Sequence, residues 1–136
     1  MSRLDAGGRW TTFTTDDGLA DNDVVAILQD VAGSLWFATR GGGVSHLDAA
    51  GRWTTFTSAD GLAHNYVLSI LQDGAGSLLF ATLGGVSRLD ADGRWSAFTT
   101  ADGLAANGVF SILQDGEGNL WFGTWGGVSR YRPLDE

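Results

Sequence analysis

Residues 51–92 read GRWTTFTSADGLAHNYVLSILQDGAGSLLFATLGGVSRLDAD, and a close copy of this stretch lies on either side of it. The Gly-Arg-Trp that opens the stretch recurs, with its tryptophan at positions 10, 53 and 95. The Gln-Asp pair follows in register at 29–30, 72–73 and 114–115. Self-similarity at a fixed period is typical of repeat architectures. The sequence therefore predicts a single domain, 1–136, built of three units at approximately 8–50, 51–92 and 93–136.

Each unit contains four short runs rich in Val, Ile, Leu, Thr and aromatic residues, separated by Gly and Asp clusters. In the first unit these runs are 24–30, 34–39, 43–48 and 52–57. Four predicted strands in a repeat of about 40 to 45 residues are typical of a β-propeller blade, and no helical pattern competes. We therefore expect an all-β fold, a β-propeller segment with three four-stranded blades per chain.

The first and fourth runs of a unit differ in polarity. The first is apolar on both faces, which suits a strand buried on both sides near the propeller axis. The fourth run is rich in threonine, as expected of an outer strand with one face near solvent. The sequence thus predicts the order of strands within a blade.

Charge and composition exclude several classes of function. All eight basic residues are arginines, against sixteen acidic residues, which gives a net charge of −8. Such a balance argues against nucleic acid or an anionic membrane as the main partner. Cysteine is absent, so disulfides and thiolate chemistry are excluded. Neither a signal peptide nor an apolar run of membrane-spanning length is present in the sequence, so we expect a soluble chain whose compartment is unknown.

The four types of run are not distributed evenly between the two ends of the chain. The fourth type occurs at 10–14, 52–57 and 94–99, so the third blade lacks an outer strand while the N-terminal region carries a spare one. Three blades are also fewer than the roughly 4 to 8 of a typical closed propeller. We expect head-to-tail association, in which the spare strand of one protomer completes the third blade of the next.

Such association closes a nine-bladed ring from three copies, which we favour, or a six-bladed ring from two. The expected partner is therefore the chain itself. Segment 2–5 repeats the register of 129–131, so one of these two segments is expected to be displaced when the ring closes.

Residue types that could carry catalysis or bind metal are sparse. We expect His46 and His64 to be exposed or loop residues, since no unit supplies the fixed partner that a catalytic base needs. Segment 115–119, DGEGN, resembles the start of a calcium loop but lacks the remaining ligands, so a hairpin turn is the better interpretation. The glycine pairs before Val44, Val86 and Val128 are interpreted as turns. We therefore expect no catalytic activity, no cofactor and no metal site.

The candidate contact residues surround the predicted mouth of the central channel. Asn22, Asn65 and Asn107 precede the buried first run of each unit, where each amide either caps the loop or faces a small polar or glycan-like ligand. The units differ most beside these asparagines, and we add His64 and Tyr66 from the second unit as candidates. Trp125 is the one tryptophan without a counterpart in the other units, which makes it a further candidate.

The repeat also resembles a known family. The residues that carry the resemblance are Asp102-Gly103-Leu104, Asn107, Val109, Ile112, Gln114-Asp115, Gly118-Asn119-Leu120-Trp121-Phe122-Gly123-Thr124 and Gly126-Gly127. Together they resemble the two-component regulator propeller repeat, which occurs in sensor regions of hybrid histidine kinases. The resemblance implies a large propeller and an extracytoplasmic sensor region. Members of that family carry many more blades, followed by output domains, so signal output is not carried over to these three units.

Overall fold

The computed structural model describes residues 1–132, which form β-strands joined by short turns. The strands are β1 (Ser2–Leu4), β2 (Trp10–Thr12), β3 (Val24–Gln29), β4 (Leu35–Thr39), β5 (Val44–Leu47), β6 (Trp53–Phe56), β7 (Val67–Gln72), β8 (Leu78–Thr82), β9 (Gly85–Leu89), β10 (Trp95–Phe98), β11 (Val109–Gln114), β12 (Leu120–Thr124) and β13 (Gly127–Tyr131). All pairings between them are antiparallel. The predicted all-β class is confirmed.

Three of the sheets are blades. Blade 1 has the order β3-β4-β5-β6, and blade 2 has the equivalent order β7-β8-β9-β10. Among residues 1–132, blade 3 consists of β11-β12-β13 without an outer strand, as the positions of the fourth run predicted. The remaining sheet is the hairpin β1-β2, at the opposite end of the described chain.

The hydrophobic core lies between the blades. The inner strand β7 contacts both β3 and β11, so the first strands of the three blades are neighbours. Trp36 and Val44 of blade 1 pack with Val67 and Phe80 of blade 2. A second cluster joins blade 2 to blade 3 in the same way. Each blade therefore buries one apolar face against the next. Among residues 1–132, the last face of blade 3 has no neighbouring blade, and the first face of blade 1 is covered only in part, by the segment that carries β1.

A single 3-10 turn follows each outer strand, at Thr15–Asp17, Ser58–Asp60 and Thr100–Asp102. Each turn has a capping box, as in the first, where the Asp16 N–H donates to the Thr14 hydroxyl and the Thr14 N–H donates to Asp17 Oδ2. The sequence interpretation missed these helices, although a Thr followed three residues later by Asp is a capping-box signal. Among residues 1–132, no helix is long and apolar enough to cross a membrane.

The expectation for one of the two histidines was wrong. His46 lies within β5, is half-buried, and its ring centre is 4.4 Å from that of the Trp36 indole. It is therefore neither exposed nor in a loop, because the third strand of a blade is covered by the indole of the second strand. His64 is an exposed loop residue, as expected.

Candidate assembly site

The tryptophan that begins each completed outer strand occupies a recess in the loop before its blade. Trp53 lies 5.5 Å from the Phe37 ring and 6.2 Å from the Phe13 ring, between ring centres. It also covers Gly18, where an added Cβ would be 2.8 Å from the indole Cγ. Each completed outer strand is therefore anchored by an indole that rests on a glycine between two phenylalanines.

Blade 2 repeats this arrangement with Trp95. Its ring centre is 5.8 Å from Phe80 and 5.9 Å from Phe56, and it covers Gly61 at the same 2.8 Å from a built Cβ. The anchor is therefore a property of the repeat and not of one unit.

Blade 3 has the same recess without a tryptophan. Phe98, Gly103 and Phe122, the counterparts of the residues that hold Trp53 and Trp95, line a cavity of about 130 Å³. A Cβ built on Gly103 would meet nothing within 4 Å, since no outer strand covers it. Tyr131 reaches partly into the space and lies 4.9 Å from the Phe98 ring. The open edge of β13 borders this cavity, which we call the blade 3 recess.

The tryptophan missing from that recess has a counterpart on β2. Trp10 pairs with Leu4 in the same register in which Trp53 pairs with Leu47 and Trp95 with Leu89. Its side chain is 69% exposed, however, because no blade 3 lies beneath it. The chain thus carries an unfilled recess at one end and an unseated tryptophan at the other.

A second complementary pair lies on the blade faces. Trp36 packs between Phe56 and Phe80, with ring centres 5.7 and 5.8 Å away. The counterparts of those two phenylalanines, Phe13 and Phe37, line an open apolar cavity of about 150 Å³ on the first face of blade 1. The other residues that line it are Met1, Ser2, Arg3, Ile27, Leu35 and Leu47.

The counterpart of Trp36 is Trp121, on the uncovered face of blade 3. Leu113 on the same face is 60% exposed, and Ile27 on the opposing face of blade 1 is 58% exposed. Exposed apolar side chains of this size are the ones that an adjoining blade covers at the two internal junctions.

Polar contacts between neighbouring blades follow the same pattern. The Val31 N–H donates to Gln72 Oε1 at 2.9 Å, and the Gly74 N–H donates to Gln114 Oε1 at 2.9 Å. The next donor and acceptor in this series are the N–H of Gly116 in blade 3 and the side chain of Gln29 in blade 1. A third junction would bring this pair together as well.

The predicted hairpin turn at 115–119 is confirmed. Asp115 Oδ1 accepts from the N–H groups of Glu117 and Asn119, and its Oδ2 accepts from Trp121 Nε1, each at 2.9 Å. The hydrogen bond from the Trp121 indole, followed by those from Asn119 and Glu117, lowers the pKa of the Asp115 carboxyl from 3.8 to about 2. The carboxylate that suggested a calcium ligand therefore holds the turn. Among residues 1–132, no three His, Cys, Asp or Glu side chains are grouped as a metal site requires.

The three candidate asparagines hold the loop before each inner strand. Asn22 Oδ1 accepts from the Thr15 N–H at 2.9 Å, and Asn107 Oδ1 accepts from the Thr100 N–H at the same distance. Asn65 makes the equivalent contact with Ser58 at 2.7 Å. The amide oxygens thus cap the 3-10 turns, which matches the loop-capping interpretation. A further role of these residues as ligand contacts stays a prediction.

The other candidate residues lie near the same ends of the inner strands. His64 Nδ1 accepts from the Tyr66 N–H at 3.0 Å, which fixes the imidazole on the loop. Tyr66 also forms a β-bridge with Arg40 of the preceding blade. Trp125 is 68% exposed and its ring lies edge-on to Phe110 at 4.9 Å. Neither of the two cavities described above is lined by any of these candidates.

Comparison of the sequence with protein families agrees with the repeat geometry. The family model described as "Two component regulator propeller" matches residues 18–41 and 103–126, each of which runs from the Gly-Leu loop to the end of a blade's second strand. Two of the three units thus match the two-component regulator propeller repeat. No curated protein matches the sequence.

Solved structures contain the same arrangement of blades. An extracellular domain ascribed to a hybrid two-component system of B. thetaiotaomicron superposes with a TM-score of 0.84 and 27% identity over 94% of this chain. A second such domain from that organism gives a TM-score of 0.78 and 24% identity over 99% of the chain. The chain spans only 18% and 20% of the lengths of these two domains.

A more distant structure shares the fold alone. Virginiamycin B lyase from Staphylococcus aureus superposes with a TM-score of 0.67 and 18% identity, over 96% of this chain and 47% of the lyase. The blades of this chain are thus arranged more like those of the hybrid-system domains than like those of the lyase. The residues that sequence reasoning missed are Phe98, Gly103 and Phe122, and aligning the three units by column would have found them.

Proposed function

We propose that this chain is a self-assembling propeller segment of the two-component sensor type, without catalytic activity of its own. Copies associate head to tail, and β2 of one copy is added to the open edge of β13 in the next. The observation that carries the proposal is the match between the empty blade 3 recess and the exposed Trp10. Within the chain, the two equivalent recesses are both filled by the tryptophan of an outer strand.

The register of the donated strand follows from the complete blades. In blade 2, Trp95 pairs with Leu89 and Phe98 pairs with Val86. By equivalence, Trp10 of one copy pairs with Tyr131 of its neighbour, and the indole enters the recess. The uncovered faces of blades 1 and 3 then meet, and Trp121 fills the cavity between Phe13 and Phe37.

The favoured product is a nine-bladed homotrimer, and the six-bladed homodimer is the alternative. The closer superposition on the hybrid-system domains, whose family builds large propellers, supports the larger ring. Those domains are extracellular, and we propose the same compartment for this chain.

Molar mass in solution, measured by light scattering on the 136-residue chain, tests the proposal. Three chain masses support the trimer, two support the dimer, and a single chain mass at all concentrations would exclude self-assembly. Deletion of residues 1–15 removes the donated strand and should leave single chains or open aggregates. A closed ring formed by that deletion variant would contradict strand donation.

A second candidate function is the binding of a small polar or glycan-like ligand at the mouth of the assembled ring. It is favoured by the similarity to extracellular domains of sensor systems and by the exposed His64 beside Tyr66. Titration of the assembled protein with a panel of oligosaccharides tests it. Binding that is lost in His64→Ala and Tyr66→Ala, while the ring remains intact, would support this function.

The asparagine variants need a separate control in that experiment. Asn65→Ala and Asn107→Ala remove loop caps as well as candidate contacts, so their fold is measured beside their binding. If no sugar in the panel binds to the intact ring, the structural role alone remains.

A further inference from the structure

In the proposed ring, β1 and β13 of a neighbouring copy would occupy the same edge of β2. On β2, Ser2 pairs with Thr12 and Leu4 pairs with Trp10. In the proposed ring, β13 of the neighbouring copy occupies that edge of β2, with Ser129 and Tyr131 in those two places. The edge of β2 accepts one strand only, so strand donation requires that either β1 or β13 leaves its present position.

Strand β13 is held firmly within its own chain. It pairs with β12 over five residues, from Leu120↔Tyr131 to Thr124↔Gly127. The Ser129 hydroxyl accepts from the Ala105 N–H at 2.8 Å, and the Thr124 hydroxyl donates to the Gly127 carbonyl at 2.8 Å. The first of these contacts joins β13 to the loop that forms the blade 3 recess, so removal of β13 would also open the recess.

Strand β1 is held by far less. It pairs with β2 over three residues, each of them exposed, and no other strand within residues 1–132 lies on its second edge. Beside β1, Met1 exchanges two hydrogen bonds with Phe13, because the Phe13 N–H donates to the Met1 carbonyl at 2.8 Å and the Met1 ammonium donates to the Phe13 carbonyl at 3.1 Å. The Arg3 guanidinium lies over the Phe13 ring at 5.8 Å. Since each antiparallel pair contributes little by itself, a three-residue edge strand is the one that exchanges more readily.

Strand β1 also lies where the neighbouring blade must go. Met1, Ser2 and Arg3 line the apolar cavity on the first face of blade 1. At the junction between blades 1 and 2, the equivalent space on blade 2 is filled by Trp36 and Val44 of blade 1. A neighbouring copy would bring Trp121 and Val128 to that cavity. The blade face and the edge of β2 are thus both partly covered by the same three residues.

We propose that β1 is an internal competitor of assembly, which occupies the edge of β2 until β13 of a second copy displaces it. The inference rests on the proposed self-assembly and adds to it which segment moves. Closure then becomes an exchange of one short strand for a longer one, in the same register and on the same edge. The occupant of the vacated edge is a second copy of this chain.

Disulfide locks distinguish the two strands, and the chain contains no cysteine that would interfere. The double variant Arg3→Cys/Thr11→Cys ties β1 to β2 at a directly paired position. The double variant Gly123→Cys/Val128→Cys ties β12 to β13 at another. Each variant is compared with itself after reduction, by light scattering, so effects of the substitutions on folding are removed from the comparison.

If β1 leaves, the oxidised Arg3→Cys/Thr11→Cys variant stays a single chain and assembles on reduction, whereas the Gly123→Cys/Val128→Cys variant assembles to the same extent in its oxidised and reduced forms. Assembly of the oxidised β1–β2 variant, or failure of the oxidised β12–β13 variant alone, would overturn the proposal, because the hairpin would then enter as a unit. Two oxidised variants that both remain single, while their reduced forms assemble, would also overturn it.

Deletion of residues 1–5 provides an independent measurement. Loss of the competing strand should lower the concentration at half-assembly by about tenfold, the effect of losing a few weak strand pairs. An unchanged or raised midpoint would count against competition by β1. If the unaltered chain itself never assembles, the proposed function fails. If the chain assembles but its concentration at half-assembly is the same without residues 1–5, only the role of β1 is refuted.

Discussion

The indole of Trp53 rests on the backbone of Gly18, so closely that a Cβ at residue 18 would stand 2.8 Å from the indole Cγ. Gly18 also has a positive φ of 117°. We expect Gly18→Ala to lower the free energy of unfolding by about 2 to 4 kcal/mol, from backbone strain together with displacement of the indole. Urea denaturation followed by tryptophan fluorescence measures the change. Gly51→Ala, at an open position with φ of 84°, is the control and should cost clearly less.

Gly103 has the same conformation as Gly18, with φ of 118°, but its recess is empty within the chain. Gly103→Ala should therefore strain the backbone without displacing any side chain of its own chain. In the ring, the new methyl group would meet Trp10 of the neighbouring copy. We expect Gly103→Ala to fold and to remain a single chain by light scattering. Assembly at the same concentration as the unaltered chain would show that Trp10 does not enter this recess.

We expect Trp10 to be the main anchor of the contact between neighbouring copies. Its side chain is exposed in the single chain, so Trp10→Ala should leave folding nearly unchanged. Loss of a buried aromatic anchor typically costs about 2 kcal/mol or more, so we expect assembly to weaken by about 30-fold or more. Sedimentation over a concentration series gives the midpoint. Val31→Ala, which truncates a side chain 90% exposed on a hairpin turn, is the control for general surface apolarity. Equal effects of the two variants would refute a specific anchor.

Asp115 should make the fold sensitive to acid. Its pKa is lowered to about 2, so the carboxylate contribution is complete above its ordinary pKa of 3.8 and is lost as the pH falls through about 2. Asp115→Asn should therefore lower the urea midpoint most at neutral pH and least near pH 2. The matched control is Asp73→Asn. Asp73 is the counterpart of Asp115 in the second unit, where Leu79 replaces the tryptophan that donates to Asp115. Identical pH profiles for the two variants would contradict the role of the indole.

Much of the blade architecture could be predicted from the sequence because it is local and repeated three times. The runs rich in Val, Ile, Leu, Thr and aromatic residues located β3 to β6 within one or two residues, and the Gly and Asp clusters located the hairpin turns. The position of His46 could not be predicted, since its contact with Trp36 depends on the register between β4 and β5. The 3-10 turns were missed although a Thr and an Asp signalled each of them.

The candidate site could also be predicted only in part from the sequence. The column of tryptophans at 10, 53 and 95 is visible in the sequence, and so is the missing outer strand of the third unit. The recess was not visible, because it is formed by side chains from the preceding outer strand, the Gly-Leu loop and the second strand of the blade, brought together only by folding. The sequence also could not say that the asparagine amides are used within their own loops.

The sequence by itself determined where the outer-strand runs lie, at 10–14, 52–57 and 94–99, so that one of them precedes the first strand of blade 1. It gave segments 2–4 and 129–131 the same pattern, and therefore the same preference for the edge of β2. Only the tertiary structure decided that β1 occupies that edge within the chain, through the tight turn in which Asp5 Oδ1 accepts from the N–H groups of Gly7 and Arg9. The physical reason is proximity, because a hairpin closed by a short turn forms at a smaller loss of chain entropy than a pairing between distant or separate segments.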